Sequence, residues 1–121
     1  MPELSFDHIH LYSPDPQQTA GFYVKTLGAK LVSITELAPG RFITKLDLHG
    51  VSLLISKARE NMPTGLVHFG IKTDKLEKAV AGLKAEGVKF TQDVTQVTPT
   101  LKVSFLQAPD NVTIELQEGG V

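Results

Sequence analysis

Leu66-Val67-His68-Phe69-Gly70-Ile71 restates, 60 residues further on (68 − 8), the run Phe6-Asp7-His8-Ile9-His10-Leu11. Side chains alternate in character along both runs, the period-2 pattern of a strand with two unlike faces. The offset persists along the chain. Gly28-Ala29-Lys30-Leu31 matches Gly87-Val88-Lys89-Phe90 (87 − 28 = 59), and Gly50-Val51-Ser52-Leu53-Leu54 matches Asn111-Val112-Thr113-Ile114-Glu115 (111 − 50 = 61). Spacing this steady predicts two copies of a strand–helix–three-strand unit within a single domain of residues 1–121: a module over 4–57, a loop over 58–65 and a module over 66–118. Neither copy is long enough to bury its sheet alone. The expectation is therefore α+β, two paired βαβββ modules forming a curved mixed sheet around a central cavity, with the helices outside.

Punctuation residues mark the elements. Leu4 to Tyr12 alternates, with Phe6, His8, His10 and Tyr12 on one face. Asp15 is placed to cap a helix that Pro16 begins, Ala20, Tyr23, Val24 and Leu27 recur at helical spacing, and Gly28 stops it. Strands follow at Lys30 to Thr35, Arg41 to Leu48 and Val51 to Ser56, separated by Pro39-Gly40 and His49-Gly50. In the second half, Asp74 with Glu77 three residues on reads as a capping box. Leu76, Ala79, Val80 and Leu83 form a stripe that ends at Gly87. Strands are expected at Val88 to Val94, Leu101 to Leu106 and Val112 to Gln117, the last preceded by a turn at Ala108 to Asn111.

That last strand carries the first chemical signal. In Val112-Thr113-Ile114-Glu115-Leu116-Gln117, Glu115 interrupts an apolar alternation, and a glutamate in mid-strand is costly unless it faces water or a cation. His8 and His68 stand in comparable alternating strands. Two histidines and a glutamate on three strands make a candidate metal site. Bulk properties exclude other classes. A net charge of −1 and a pI near 6.4 give no electrostatic case for nucleic acid or an anionic membrane. The absence of cysteine excludes disulfides, thiolate metal sites and cysteine nucleophiles. No apolar run is long enough to span a bilayer and no leader pattern opens the chain, so a soluble cytoplasmic protein is expected.

Asp7-His8-Ile9-His10-Leu11, followed by Ser13-Pro14-Asp15-Pro16 and a helix carrying Phe22-Tyr23 and Leu27-Gly28, resembles the vicinal oxygen chelate superfamily. That group holds glyoxalases, extradiol dioxygenases, methylmalonyl-CoA epimerases, and fosfomycin and bleomycin resistance proteins. Val67-His68-Phe69-Gly70-Ile71 is similar to its middle strand, and Ala108-Pro109-Asp110-Asn111 with Ile114-Glu115-Leu116 to its closing strand. The resemblance covers Leu4 to Gln117 and implies the glyoxalase/bleomycin resistance/dioxygenase fold, with His8, His68 and Glu115 as metal ligands. Lyases and epimerases of the group usually add a Glu or Gln ligand on the strand that here reads Val51 to Ser56. By the internal repeat that place belongs to Leu54, or to Leu53 on a one-residue slip, and neither binds a metal. Ser52 and Ser56 would be unusual ligands.

Two imidazoles and one carboxylate hold a divalent ion on one face and leave the opposite positions open, as in non-haem Fe(II) oxygenases. Fe(II) is thus the favoured ion, with Zn, Ni or Mn as alternatives. The expected function is a metal-dependent enzyme for a small molecule with vicinal oxygens, dioxygenase chemistry placed ahead of a glyoxalase-like lyase or an epimerase. A non-catalytic binding protein of the bleomycin-resistance type is the further alternative. Phe105 stands where extradiol enzymes place a tyrosine, which counts against oxygenation. Leu54 cannot be the proton-abstracting carboxylate of glyoxalase chemistry, which counts against that lyase. His10 shares a face with His8, where it would hydrogen-bond substrate, orient Glu115 or simply line the pocket. Tyr12, Leu54, Phe105 and Gln117 complete the expected substrate-contacting set. His49 reads as solvated surface, and Lys45 and Lys102 as surface strand residues or a grip on an anionic substrate. A homodimer is expected, with each site formed within one chain or across two.

Overall fold

The computed structural model describes residues 2–109 and 112–121. Asp110 and Asn111, half of the turn expected before the last strand, lie outside the described residues, as does Met1. The element order is β1 (Ser5–Ser13), α1 (Pro16–Leu27), β2 (Lys30–Ala38), β3 (Arg41–Leu48), β4 (Val51–Lys57), β5 (Gly65–Lys72), α2 (Leu76–Ala85), β6 (Lys89–Thr98), β7 (Leu101–Gln107) and β8 (Thr113–Gly119). This is an α+β chain with βαβββ written twice. Packing divides it into two compact units, one of residues 8–67 and one of residues 68–121 together with residues 1–7.

In the unit of residues 8–67 the strands lie in the order β2-β3-β4-β1, with β1 parallel to β4 and the other pairs antiparallel. Strand alternation sorts the side chains. Leu46, Leu53 and Ile55 turn toward α1 and form a buried core with Ala20 and Ala29, flanked by Ile9, Leu11, Tyr23 and Leu48. His8, His10, Tyr12, Ser52, Leu54 and Ser56 occupy the other face, because one residue along a strand reverses the side. Local chemistry fixes α1. The Asp15 carboxylate accepts the Gln18 N–H at 3.1 Å, Pro16 opens the helix, and Gly28 closes it at φ 77°, in the left-handed region. Phe42 lies on the α1 side and is half exposed.

In the unit that holds residues 68–121 the order is β5-β8-β7-β6, with β5 parallel to β8. Leu76 and Val80 of α2 pack on Leu106 and Leu116, with Ile71, Leu83, Val88, Phe90, Val94, Ala108 and Ile114 around them. The capping box expected from Asp74 and Glu77 does not form. The cap position is Lys75, whose side chain caps nothing. The Leu76 N–H instead donates to Glu118 Oε1 at 2.9 Å, and Glu77 turns outward to Lys102. β6 runs four residues past the expected end at Val94, through Thr95, Gln96, Val97 and Thr98. It lies at the edge of the strand order and its mostly polar, exposed side chains carry no alternation to read.

Candidate functional site

Each unit brings part of the expected set together on the sheet face turned away from its helix. In the unit of residues 8–67, β1 presents His8 and His10, whose rings lie edge to face with centroids 5.9 Å apart. Tyr12 follows two residues on and meets the His10 ring edge-on at 5.2 Å. His8 is 1% exposed and His10 7%. The parallel register sets His10 opposite Leu54 and Tyr12 opposite Ser56 on β4. Leu54 therefore belongs to the histidine face and Leu53 to the α1 core, so the one-residue slip does not occur. His10 Nε2 lies 2.7 Å from Ser56 Oγ, a hydrogen bond that fixes the ring's orientation.

In the other unit, β5 presents His68 and β8 presents Glu115. His68 Nε2 and Glu115 Oε1 are 3.6 Å apart, and both residues are buried, at 6% and 9% exposure. Two ligands of one ion at a right angle stand about 3 Å apart for metal–ligand bonds near 2.1 Å, so this pair needs little adjustment to share an ion. Phe105 lies opposite Glu115 on β7, and its ring meets His68 edge-on at 5.3 Å. It packs the imidazole and brings no hydroxyl. Gln117 is buried two residues beyond Glu115 on the same face, and its amide donates to the Gly119 carbonyl at 3.1 Å. Gly70 stands opposite Glu115 on β5.

The donor chemistry fits a divalent transition metal. Neutral imidazoles and a carboxylate are the ligand types that suit iron, zinc and nickel, and carboxylate also suits manganese. A buried carboxylate is costly unless a cation or hydrogen bonds compensate it.

Three further roles were not visible in sequence. Ser56 as the partner of His10 depends on register between parallel strands that lie 46 residues apart. His49, read as solvated surface, is exposed, and its Nε2–H donates to the Leu27 carbonyl at 2.6 Å, which holds the C-terminal end of α1. Lys102 bridges Glu77 at 2.8 Å and Glu118 at 3.2 Å, which makes it part of an ion-pair network rather than a solitary surface cation. Within the unit of residues 68–121 and 1–7, a cleft lined by Glu3, Leu4, Ser5, Lys72, Thr73 and Asp74 contains none of the expected site residues. Among the described residues no helix is long and apolar enough to cross a membrane.

Comparison with known proteins agrees with this architecture. A family model described as Glyoxalase/Bleomycin resistance protein/Dioxygenase superfamily matches residues 5–116. A probable chloroplastic lactoylglutathione lyase of Arabidopsis thaliana is 28% identical to the chain, over 93% of the chain and 35% of that protein. The chain thus spans about a third of the length of this curated relative. A hypothetical protein from Bacillus halodurans, BH1468, has a similar crystal structure: TM-score 0.82, 21% identity, 98% of this chain and 96% of that one. The methylmalonyl-CoA epimerase of Mycobacterium tuberculosis superposes with a TM-score of 0.79 at 17% identity, over 96% of this chain and 88% of that one. At these identities the structural likenesses establish the fold.

Proposed function

The chain belongs to the glyoxalase/bleomycin resistance protein/dioxygenase superfamily, and from that premise we propose that it is a divalent-metal-dependent enzyme. Its substrate is a small molecule with two adjacent oxygens, handled by lyase or isomerase chemistry ahead of ring-cleaving oxygenation. His8, His68 and Glu115 would hold the ion, the His8 half and the His68–Glu115 half coming from one chain or from the two chains of a homodimer. The observation that carries this reading is the burial of these donors on helix-free sheet faces, with His68 and Glu115 converging to 3.6 Å. A surface or purely structural role does not require a carboxylate to be desolvated beside an imidazole.

When bound, such an ion polarises a carbonyl or enolate oxygen as a Lewis acid. The chain's own residues do the rest. Phe105 and Tyr12 brace the histidine rings, Leu54 supplies apolar wall, and Gln117 offers an amide two residues from Glu115. The sequence placed oxygenation first on ligand count. Phe105 moves the balance, because its phenyl ring touches His68 in the region where an extradiol enzyme would need a phenol. The lyase named for the Arabidopsis relative points the same way. A homodimer accords with the exposed apolar residues Leu31, Val32 and Ile34 on edge strand β2.

The test is a matched pair of assays on metal-loaded protein: solvent deuterium uptake into α-hydroxy and α-oxo thioesters and hemithioacetals by NMR, and oxygen consumption with catechols. Metal-dependent deuterium uptake without oxygen consumption is expected, with loss of the exchange after chelation. Oxygen consumption with ring cleavage would restore the oxygenase reading. Tight substrate binding with neither reaction would make the protein a binding module of the bleomycin-resistance type.

A further inference from the structure

Strand pairing lines up a row of four residues in each unit, and the internal repeat maps one row onto the other. In the unit of residues 8–67 the row reads His10, Leu54, Lys45 and Ser33, from β1 across β4 and β3 to β2. In the unit that holds residues 68–121 it reads Gly70, Glu115, Phe105 and Gln92, from β5 across β8 and β7 to β6. The offsets are 60 (70 − 10), 61 (115 − 54), 60 (105 − 45) and 59 (92 − 33). Residues paired in register share a face, so Lys45 stands on the histidine face of its own sheet. The rows are inverted in character. One sets a carboxylate between a glycine and a phenyl ring; the other sets a leucine between an imidazole and an ammonium.

We propose that Lys45 selects the substrate, by holding a carboxylate that the substrate carries in addition to its two chelating oxygens. This rests on the metal-dependent reading given above. Lys45 is partly buried on β3, an interior strand of the order, and lysine is mostly an exposed residue. Beside it in the row, Leu54 is 4% exposed and forms an apolar floor. A charge-assisted hydrogen bond is stronger where such a floor keeps water away. The other cation weighed for this role stands elsewhere. Lys102 alternates with Val103 and Phe105 on β7, falls on the α2 face, and is engaged by Glu77 and Glu118. The acid next to Lys45 on the same face of β3 is Asp47, whose Oδ1 accepts the Gly50 N–H at 2.9 Å in the following turn. An ammonium carries three N–H donors, so it meets a substrate carboxylate alongside a protein partner.

Spacing and charge set the substrate class. β1 and β3 are two strand spacings apart, about 10 Å, and the lysine stem covers part of that distance. The carboxylate therefore lies only a few bonds from the chelating oxygens. One ammonium supplies a single charge and no planar fork, which suits a monoanionic carboxylate. Small 2-oxo or 2-hydroxy dicarboxylates meet these requirements: one end chelates the ion and the other reaches Lys45.

The experiment is calorimetric titration of the full chain, metal-free and loaded with manganese(II), with three probes. These are 2-oxoglutarate, its 5-amide, and the analogue with a phosphonate in place of the distal carboxylate. The wild type is expected to bind 2-oxoglutarate about 10-fold or more tightly than the amide. Lys45→Met, which keeps the stem, should level the two, and Lys45→Arg should restore the preference. A merely structural lysine would move both probes together. A wild-type ratio near one, a preference that survives Lys45→Met, or no binding of either probe overturns the inference. Tighter binding of the phosphonate overturns the assignment to a carboxylate. The functional reading is tested separately by the metal: amide binding that is equal with and without manganese contradicts chelation, whatever the ratio between probes. The wild-type ratio needs no variant to fold.

Discussion

The two units run the same five elements in the same order, yet they secure their helices by different means. α1 is capped from nearby in sequence, by Ser13 and Asp15 at its start and Gly28 at its end, and only the bond from His49 to the Leu27 carbonyl, 22 residues apart, comes from further away. α2 is held from afar. Its first free N–H goes to Glu118, 42 residues away, and Lys102 ties that glutamate to Glu77 in the first turn. A helix N-terminus needs acceptors for its unpaired N–H groups, and a carboxylate there also meets the favourable end of the helix dipole. Both solutions satisfy that need. Only the local one is written where a sequence reader looks for it.

The largest effects test whether the units are equivalent where they ought to be, in their cores. Leu46→Ala removes a fully buried side chain beneath α1, and Leu116→Ala does the same beneath α2. Each should cost about 2–5 kcal/mol in urea denaturation. A cost below about 1 kcal/mol at either site would mean that one core is not packed as described. Next come the caps. Asp15→Ala and Glu118→Ala should each cost about 1 kcal/mol. They should separate with ionic strength, because Glu118 also takes part in an exposed ion-pair network that salt screens. Equal losses at low and high salt would erase that distinction.

The smallest effect concerns the Lys102–Glu77 pair. The hydrogen bond from Lys102 holds the Glu77 carboxyl below its ordinary range, and Glu77 and Glu118 push the Lys102 ammonium above its own. The stability Glu77 contributes is therefore present above the ordinary carboxylate range and lost as pH falls through its lowered value. The part owed to Lys102 is present below the ordinary lysine range and lost as pH rises through its raised value. Thermal unfolding from pH 3 to 6 should show a shallower acid decline in Glu77→Gln than in the wild type. Superimposable profiles would show that this exposed pair contributes nothing measurable.

The repeat made the fold readable because strand alternation and glycine stops recur at offsets of 59 to 61 residues, a signal that belongs to the chain and survives without tertiary information. α1 was readable to the residue, since Asp15, Pro16 and Gly28 act within a turn of their own position. α2 was misread at its start because the Asp74–Glu77 spacing fits a capping box, whereas a tertiary acceptor, Glu118, took the bond. At the candidate site the donors stood out as polar interruptions of apolar strands. Their neighbours did not. That His10 faces Leu54 and bonds Ser56, or that Phe105 braces His68, follows from register, which alternation leaves undetermined by any even number of residues.

Everything proposed for function depends on a metal centre built from His8, His68 and Glu115. The most direct test is the metal content of protein purified anaerobically and then reconstituted, with the wild type beside His8→Ala and Glu115→Ala. One substitution is drawn from each unit. Near-stoichiometric divalent metal is expected in the wild type and its loss in both variants, with their secondary structure retained. Metal retained at full occupancy in either variant, or none in the wild type after reconstitution, would contradict that centre.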